Sequence, residues 1–192
     1  ILTTHHHGDH TAGNVPLKAR HGCTIIGPKG EAAKVPGIDR AVGEGDTVAF
    51  GGFTIRVLET PGHTAGHISY WIPEASVAFV GDTLFAIGCG RVIEGSMEMM
   101  WRSLSKIAAL PKETVLYCGH EYTVANARFA LTIEPDNRAL IARTAEAEAQ
   151  RAEQRKWRRY AYERESRKRY RSSYRYYYPW GPWGPFPGPA GL

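Results

Sequence analysis

The sequence predicts an α/β fold, with two sheets and helices packed outside them, and three observations carry that reading. Residues 1–120 alternate short β-branched or aromatic runs with glycine-rich turns, which is the composition and punctuation of strands. Helical patterns interrupt and follow these runs. Several candidate strands end in a turn that carries a histidine or an aspartate. With 192 residues, 43% hydrophobic content and 21 glycines, the chain can form one good-sized domain with an appendage.

The candidate strands are Cys23–Ile26, Asp46–Phe50, Phe53–Leu58, His67–Ile72, Val77–Val80 and Thr114–Tyr117. Ser96 is a good N-cap for a helix over Met97–Leu110, with Met100, Leu104, Ile107 and Ala108 at helical spacing and Pro111 as the stop. Thr123–Ile133 reads as a second helix, and Asp136 can cap a third from Asn137 to about residue 169. The chain thus divides into a main domain over 1–133, a helical extension over 134–169 and a tail over 170–192. The Tyr/Pro/Gly/Trp-rich tail is expected to be disordered, since its prolines block both helix and central strand.

The formal charge of +5 is unevenly spread. Residues 151–178 hold eleven of the 24 basic and three of the 19 acidic residues, so the rest carries more acid than base. Arginine interleaved with tyrosine can grip phosphate and stack on bases. A catalytically inactive nucleic-acid-binding protein acting through 151–178 is therefore the reading from a different class, with an anionic membrane surface as its variant. The plainer accounts of the run are sequence without a role of its own, or a helical cap on the domain before it. Cys23, Cys89 and Cys118 are odd in number and lack disulfide or zinc-finger spacing, which suggests a reducing compartment and small buried side chains. Only Cys118 neighbours a candidate ligand. No apolar run approaches the ~20 residues of a membrane span and no signal peptide is visible, so the expected location is cytoplasmic.

Four strings carry the chemistry: His5-His6-His7-Gly8-Asp9-His10, Thr60-Pro61-Gly62-His63, Gly81-Asp82-Thr83 and Cys118-Gly119-His120-Glu121-Tyr122. They supply seven candidate ligands: His5, His7, Asp9, His10, His63, Asp82 and His120. Imidazole and carboxylate without thiolate suit a pair of borderline divalent metals: zinc first, with iron or manganese also fitting. In extended backbone His5, His7 and Asp9 point to one side, and a turn brings His10 in from another direction. Asp82 is the natural bridge, because a carboxylate can offer an oxygen to both ions. Two metals held close together activate water at neutral pH, so the chain reads as a hydrolase. A lone HxH would be weak, and polar turn residues the bland alternative; HxHxDH followed by strand-end GH, GD and GH is specific. His6 should point away, His21 should lie at the surface, and His67 is a partner that orients ligands or a plain strand residue.

These strings resemble the metallo-β-lactamase superfamily and, within it, glyoxalase II (hydroxyacylglutathione hydrolase). Thr3-Thr4-His5-His6-His7-Gly8-Asp9-His10 with Gly13-Asn14 looks like the first motif. Thr60–His67, Gly81–Phe85 with Gly88-Cys89-Gly90-Arg91, and Cys118–Thr123 with Asn126–Ala130 look like the others, over residues 1 to about 150. The resemblance implies a metallo-β-lactamase-type αβ/βα sandwich that lacks the family's opening strands, with a helical C-terminal extension. It implies His5, His7 and His63 on one metal, Asp9, His10 and His120 on the other, and Asp82 bridging, with Asp9 and Asp82 catalytic. The implied substrate is a 2-hydroxyacyl thioester of glutathione, chiefly S-D-lactoylglutathione, as in methylglyoxal detoxification. Arg91 and Tyr122 match glutathione contacts, against the bland readings of a solvated Arg and a packed Tyr. Ile93 stands where a glutathione-contacting Tyr is usual, and after about residue 153 the aromatic, basic tail replaces the family's C-terminal segment. The nearest rival is persulfide dioxygenase, with one iron on the equivalents of His5, His63 and Asp82. A hydrolase of the same superfamily acting on a lactone or phosphodiester is a further alternative.

Overall fold

The computed structural model describes residues 1–177, and the side chains of residues 1–166. The chain divides into two compact units, Ile1–Asp136 and Asn137–Leu192. In chain order the first unit holds α1 (Gly8–Thr11), α2 (Asn14–His21), β1 (Ile26–Pro28), β2 (Arg40–Val42), β3 (Thr47–Phe50), β4 (Phe53–Glu59) and β5 (Ile68–Ile72). There follow β6 (Val77–Gly81), β7 (Leu84–Phe85), β8 (Gly88–Cys89), α3 (Met97–Ala108), β9 (Val115–Cys118) and α4 (Thr123–Ile133). The second unit holds α5 (Arg138–Tyr177).

Alternation along the strands builds the core, because successive side chains leave opposite faces of a sheet. The main sheet runs β3-β4-β5-β6-β9. On one face Ile55 and Val57 of β4 meet Ile68 and Tyr70 of β5, together with Val42 and Val48. On the other, Ala78 and Val80 of β6 pack with Ile107 of α3 and with Trp71, the neighbour of Tyr70 in sequence. Pairs β3–β4, β4–β5 and β5–β6 are antiparallel, whereas β9 runs parallel to β6. Strands β4, β6 and β9 therefore share one direction, and their C-terminal ends share one rim. The remaining sheets are smaller than the two-sheet expectation: β1 pairs with β2 in parallel, and β7–β8 is a two-residue hairpin.

Elements placed by strong periodicity lie close to their expected bounds, and the differences have local causes. Strand β1 starts at Ile26 rather than Cys23, because the N-terminus occupies Thr24 O (2.7 Å) and Asp39 occupies Ile25 N (2.9 Å). Helix α2 carries no sequence signal, because it lacks a side-chain cap and leaves Val15 and Leu17 exposed. Ser96 caps α3 as expected, accepting from Met99 N at 3.2 Å, but the helix ends at Ala108. At α5 the cap is Asn137, whose Oδ1 accepts from Leu140 N (3.1 Å), rather than Asp136. That helix continues past 169 to Tyr177, through part of the expected disordered tail; the rest of the tail lies outside the described residues. Cys89 and Cys118 are exposed and Cys23 half-buried, so none is the buried small side chain expected. Among the described residues no helix is long and apolar enough to cross a membrane.

Two contacts pin the N-terminal loop to this frame. The buried Tyr70 hydroxyl donates to Thr3 O at 2.9 Å, and Ile68 N donates to Thr4 O at 2.9 Å. Tyr70→Phe removes a donor and strands a buried carbonyl; urea unfolding should show a loss of about 1–2 kcal/mol. Asp39 binds Ile25 N and pairs with Lys18, and the Lys18 hydrogen bond foremost holds its carboxyl below the usual range. A carboxyl depressed in the folded state adds stability above its unfolded pKa, near 4, and loses it as pH falls through the folded value. Asp39→Asn should be less stable than the parent at pH 7, with the gap closing below about pH 4 in the same assay.

Candidate metal centre

Every string meets at the rim where β4, β6 and β9 end. His63 lies in the loop after β4, Asp82 directly follows β6, and His120 lies two residues after β9. The first string reaches the same rim because Thr3 N donates to Ile26 O (2.8 Å) and Ile68 N to Thr4 O (2.9 Å), so His5 emerges between β1 and β5. Its extended course ends at His7, one step before the alternation expected through Asp9. His10 N and Thr11 N both donate to His7 O, at 3.0 and 3.1 Å, and the turn α1 presents Asp9 and His10.

Two triads with no shared member result, each with ligand atoms within 4.8 Å of one another: His5, His7 and His63, and Asp9, His10 and His120; His5 and His10, one from each, group with Asp82 in the same way. In the first, His63 Nε2 lies 3.1 Å from His7 Nδ1. In the second, His120 Nε2 lies 3.1 Å from His10 Nε2 and 3.3 Å from Asp9 Oδ2. Asp82 stands between the triads. Its Oδ2 is 3.5 Å from His63 Nε2 and 3.3 Å from His120 Nε2, and its Oδ1 is 3.4 Å from His10 Nε2. All seven sequence candidates are thus brought together. The Cys118 thiol donates to His120 O (3.3 Å) and belongs to neither triad.

The donor set fits cations. His63 Nδ1 donates to Arg91 O at 2.9 Å, which leaves Nε2 bare and facing His7. Two nitrogens tetrahedrally bound at ~2.0–2.1 Å to one zinc stand ~3.3 Å apart, close to the 3.1 Å of both imidazole pairs. Buried His5 Nε2 has no hydrogen-bond partner, which is costly unless something else satisfies it. Burial foremost, with His67 and His10 beside it, pushes His5 down to about 2, so its ring is neutral and able to ligate. Burial would raise Asp82, but the hydrogen bond from His10 and the His10 and His120 charges outweigh it and hold the carboxyl below its usual range.

His67 orients this centre rather than joining it. Asp82 N donates to its Nε2 at 3.1 Å, so the ring proton sits on Nδ1, 3.0 Å from Thr60 Oγ1 and 3.1 Å from Thr83 Oγ1. Burial foremost pushes His67 down to about 3, which keeps it a neutral acceptor. Gly81 has to be glycine here: it sits at φ +49°, and a Cβ would lie 2.6 Å from both His67 Nε2 and Thr4 Oγ1. His21 is exposed, as expected. His6 faces Glu31 and Glu94 at 3.0 and 3.5 Å, and no motif pointed to buried Glu31.

A cleft of about 570 Å³ opens over the centre, lined by His7, Asp9, His63, Asp82 and His120 together with Phe85, Arg91, Ile93 and Tyr122. Tyr122 stacks on His120, with ring centroids 5.3 Å apart, and meets Phe85 edge-on at 5.2 Å. Arg91 also acts through its backbone carbonyl on His63, a role its sequence position gave no hint of. A Cβ at Gly119 would strike Asp82 Oδ1 and lie 2.7 Å from His10 Cε1. Gly119→Ala should therefore fold but hold metal at least about tenfold more weakly, the scale on which misplaced ligands act, as measured by chelator competition.

Residues 1–120 match the model of the metallo-beta-lactamase superfamily, and residues 121–166 that of the hydroxyacylglutathione hydrolase C-terminus. The second match runs beyond residue 153, so family sequence continues into the basic helix rather than giving way there. A Rhizobium meliloti (strain 1021) protein called hydroxyacylglutathione hydrolase is 59% identical over 153 residues, 80% of this chain and 60% of the relative. The chain thus spans about 60% of that relative's length. Among solved structures, ETHE1 from Myxococcus xanthus aligns with a TM-score of 0.57 and 35% identity, over 63% of this chain and 53% of that one. TTHA1623, solved in a di-iron-bound form, aligns at 0.54 and 29%, over 62% and 68%. The seven clustered residues thus sit in a recognised frame, and the chain belongs to the metallo-beta-lactamase superfamily.

Proposed function

We propose that the chain hydrolyses a 2-hydroxyacyl thioester of glutathione, S-D-lactoylglutathione being the first to test, at a centre of two divalent metals. One observation carries this reading: Asp82 stands between two triads of ligand atoms and lines one cleft with His7, Asp9, His63 and His120. His5, His7 and His63 would hold one ion, and Asp9, His10 and His120 the other, with Asp82 between them. Zinc suits this set best, and iron and manganese also fit it. Bound there, the ions would lower the pKa of water to roughly 7 and polarise the thioester carbonyl.

The chain's own residues do the rest. Asp9, its carboxylate exposed beside His120, can take up and orient the proton of the attacking water. Neutral His5 and His67 keep repelling charge off the buried side. Arg91 and Tyr122, both lining the cleft, would meet the carboxylates and peptide groups of glutathione. Ile93 lines the same cleft and offers only apolar contact. The departing thiolate is stable enough to leave with little protonation, so no dedicated acid is needed. The match of residues 121–166 to a hydroxyacylglutathione hydrolase C-terminus supports the thioester over a lactone or phosphodiester.

Metal content measured alongside thiol release from S-D-lactoylglutathione tests the reading. Two metals per chain with thiol release support it; one iron with oxygen consumption would support the dioxygenase instead. Asp82→Ala should lower thiol release by roughly a hundredfold or more and reduce bound metal. Near-normal turnover with both metals retained would remove Asp82 from this role.

A further inference from the structure

Glu31 lies outside every motif, on a 3-10 segment (Lys29–Lys34), yet only 6% of it is exposed. Its backbone sits at φ −137° and ψ 24°, off the helical geometry of its neighbours. The segment is pressed against the loop that carries His63. A Cβ on Gly66 would lie 2.9 Å from Gly30 C and 3.0 Å from Glu31 N, so the two backbones meet with no side chain between them.

The carboxylate joins two loops. Oε1 accepts from His6 N (2.9 Å) and from the Thr64 hydroxyl (3.2 Å), and Oε2 accepts from Gly66 N (3.3 Å). His6 Nδ1 stands 3.0 Å from Oε2. His6 is bonded in sequence to both His5 and His7, and Thr64 to His63. Every member of the first triad therefore adjoins a residue that Glu31 holds. None of Asp9, His10 and His120 does. His6, Glu31 and Glu94 could be taken for a further metal group, but Lys34 Nζ already sits 3.1 Å from Glu94 Oε1 and supplies the positive charge.

We propose that Glu31 is a positioning residue for the His5–His7–His63 triad. Its carboxylate is a strut whose span sets the 3.1 Å separation of His7 Nδ1 and His63 Nε2. It acts through backbone and hydroxyl donors on either side of that gap and touches neither ion nor substrate. A free-standing buried carboxylate would be costly; here three hydrogen bonds compensate it, and truncating it leaves those donors unpaired.

The inference rests on the two-metal reading, and zinc binding by the whole chain tests it without any substrate. Glu31→Gln keeps the shape but turns one acceptor into a donor facing N–H or O–H groups. By chelator competition the parent should bind two zinc ions. Folded Glu31→Gln, checked by circular dichroism, should lose about tenfold or more in affinity at one of them and less than about threefold at the other. Parent-like affinity at both sites, or equal weakening of both, would overturn the proposal, because a merely structural role does not distinguish the triads. Should Glu31→Gln fail to fold, Thr64→Val removes a single partner. The same one-sided weakening, about threefold or more, supports the strut, and unchanged or two-sided affinity overturns it. A parent that binds no zinc fails at the earlier step and sinks the two-metal reading with it.

Discussion

Strand direction governs the centre. Because β9 pairs in parallel with β6, and β4 is related to β6 through two antiparallel steps, three chain reversals far apart in sequence open onto one rim. Strand ends are stiff, so His63, Asp82 and His120 come together with little ordering left for a ligand to impose. The first string has no strand of its own in the main sheet. It is bound instead by Thr3 and Thr4 to β1 and β5, through bonds of 2.8 to 2.9 Å. The half of the site built from the first string therefore depends on polar anchoring of a loop, and the rim half on sheet register.

Electrostatics explains how so many imidazoles share so little space. A protonated cluster would repel itself, and burial foremost drives His5 and His67 to the neutral form. His7 is lowered as well, by burial first and then by His63. His10 is the exception, raised by its hydrogen bond to Asp82. The Asp82 carboxylate thus sits among neutral rings on one side and a polarised ring on the other. Without a cation, His10 supplies that carboxylate's charge partner. A divalent ion at the same place would take over the role and release His10 to ligate as a neutral ring.

The legible part of the molecule was the part where chemistry and periodicity agree. The four strings, Asp82 among them, were readable because imidazoles and carboxylates gathered at strand ends have little use apart from holding metal. The strands β3 to β6 were readable from alternation, with Ile55, Val57, Ile68 and Tyr70 on one face. What escaped had no local signal. Helix α2 has no apolar stripe, β7 and β8 have two residues each, and Asn137 outcompetes Asp136 as a cap by a single position. Glu31 escaped for a different reason: its significance lies in contacts with His6, Thr64 and Gly66, as far as 35 residues away, and nothing in a run of Lys-Gly-Glu-Ala-Ala-Lys distinguishes it from a solvated turn.

Two glycines, Gly90 and Gly119, crowd Asp82. A Cβ at Gly119 would strike Asp82 Oδ1, and one at Gly90 would strike its carbonyl oxygen. Backbone from the β7–β8 hairpin and from the end of β9 thus approaches one aspartate as closely as atoms allow. Such crowding leaves the Asp82 carboxylate few orientations, and the hydrogen bond from its own N–H to His67 leaves its backbone fewer. In the two-metal reading Asp82 would be shared by both ions and would need that restriction more than a terminal ligand does, since rotation would cost it two contacts rather than one. Gly90 and Gly119 are therefore as much a part of the centre as the side chains that would hold the ions.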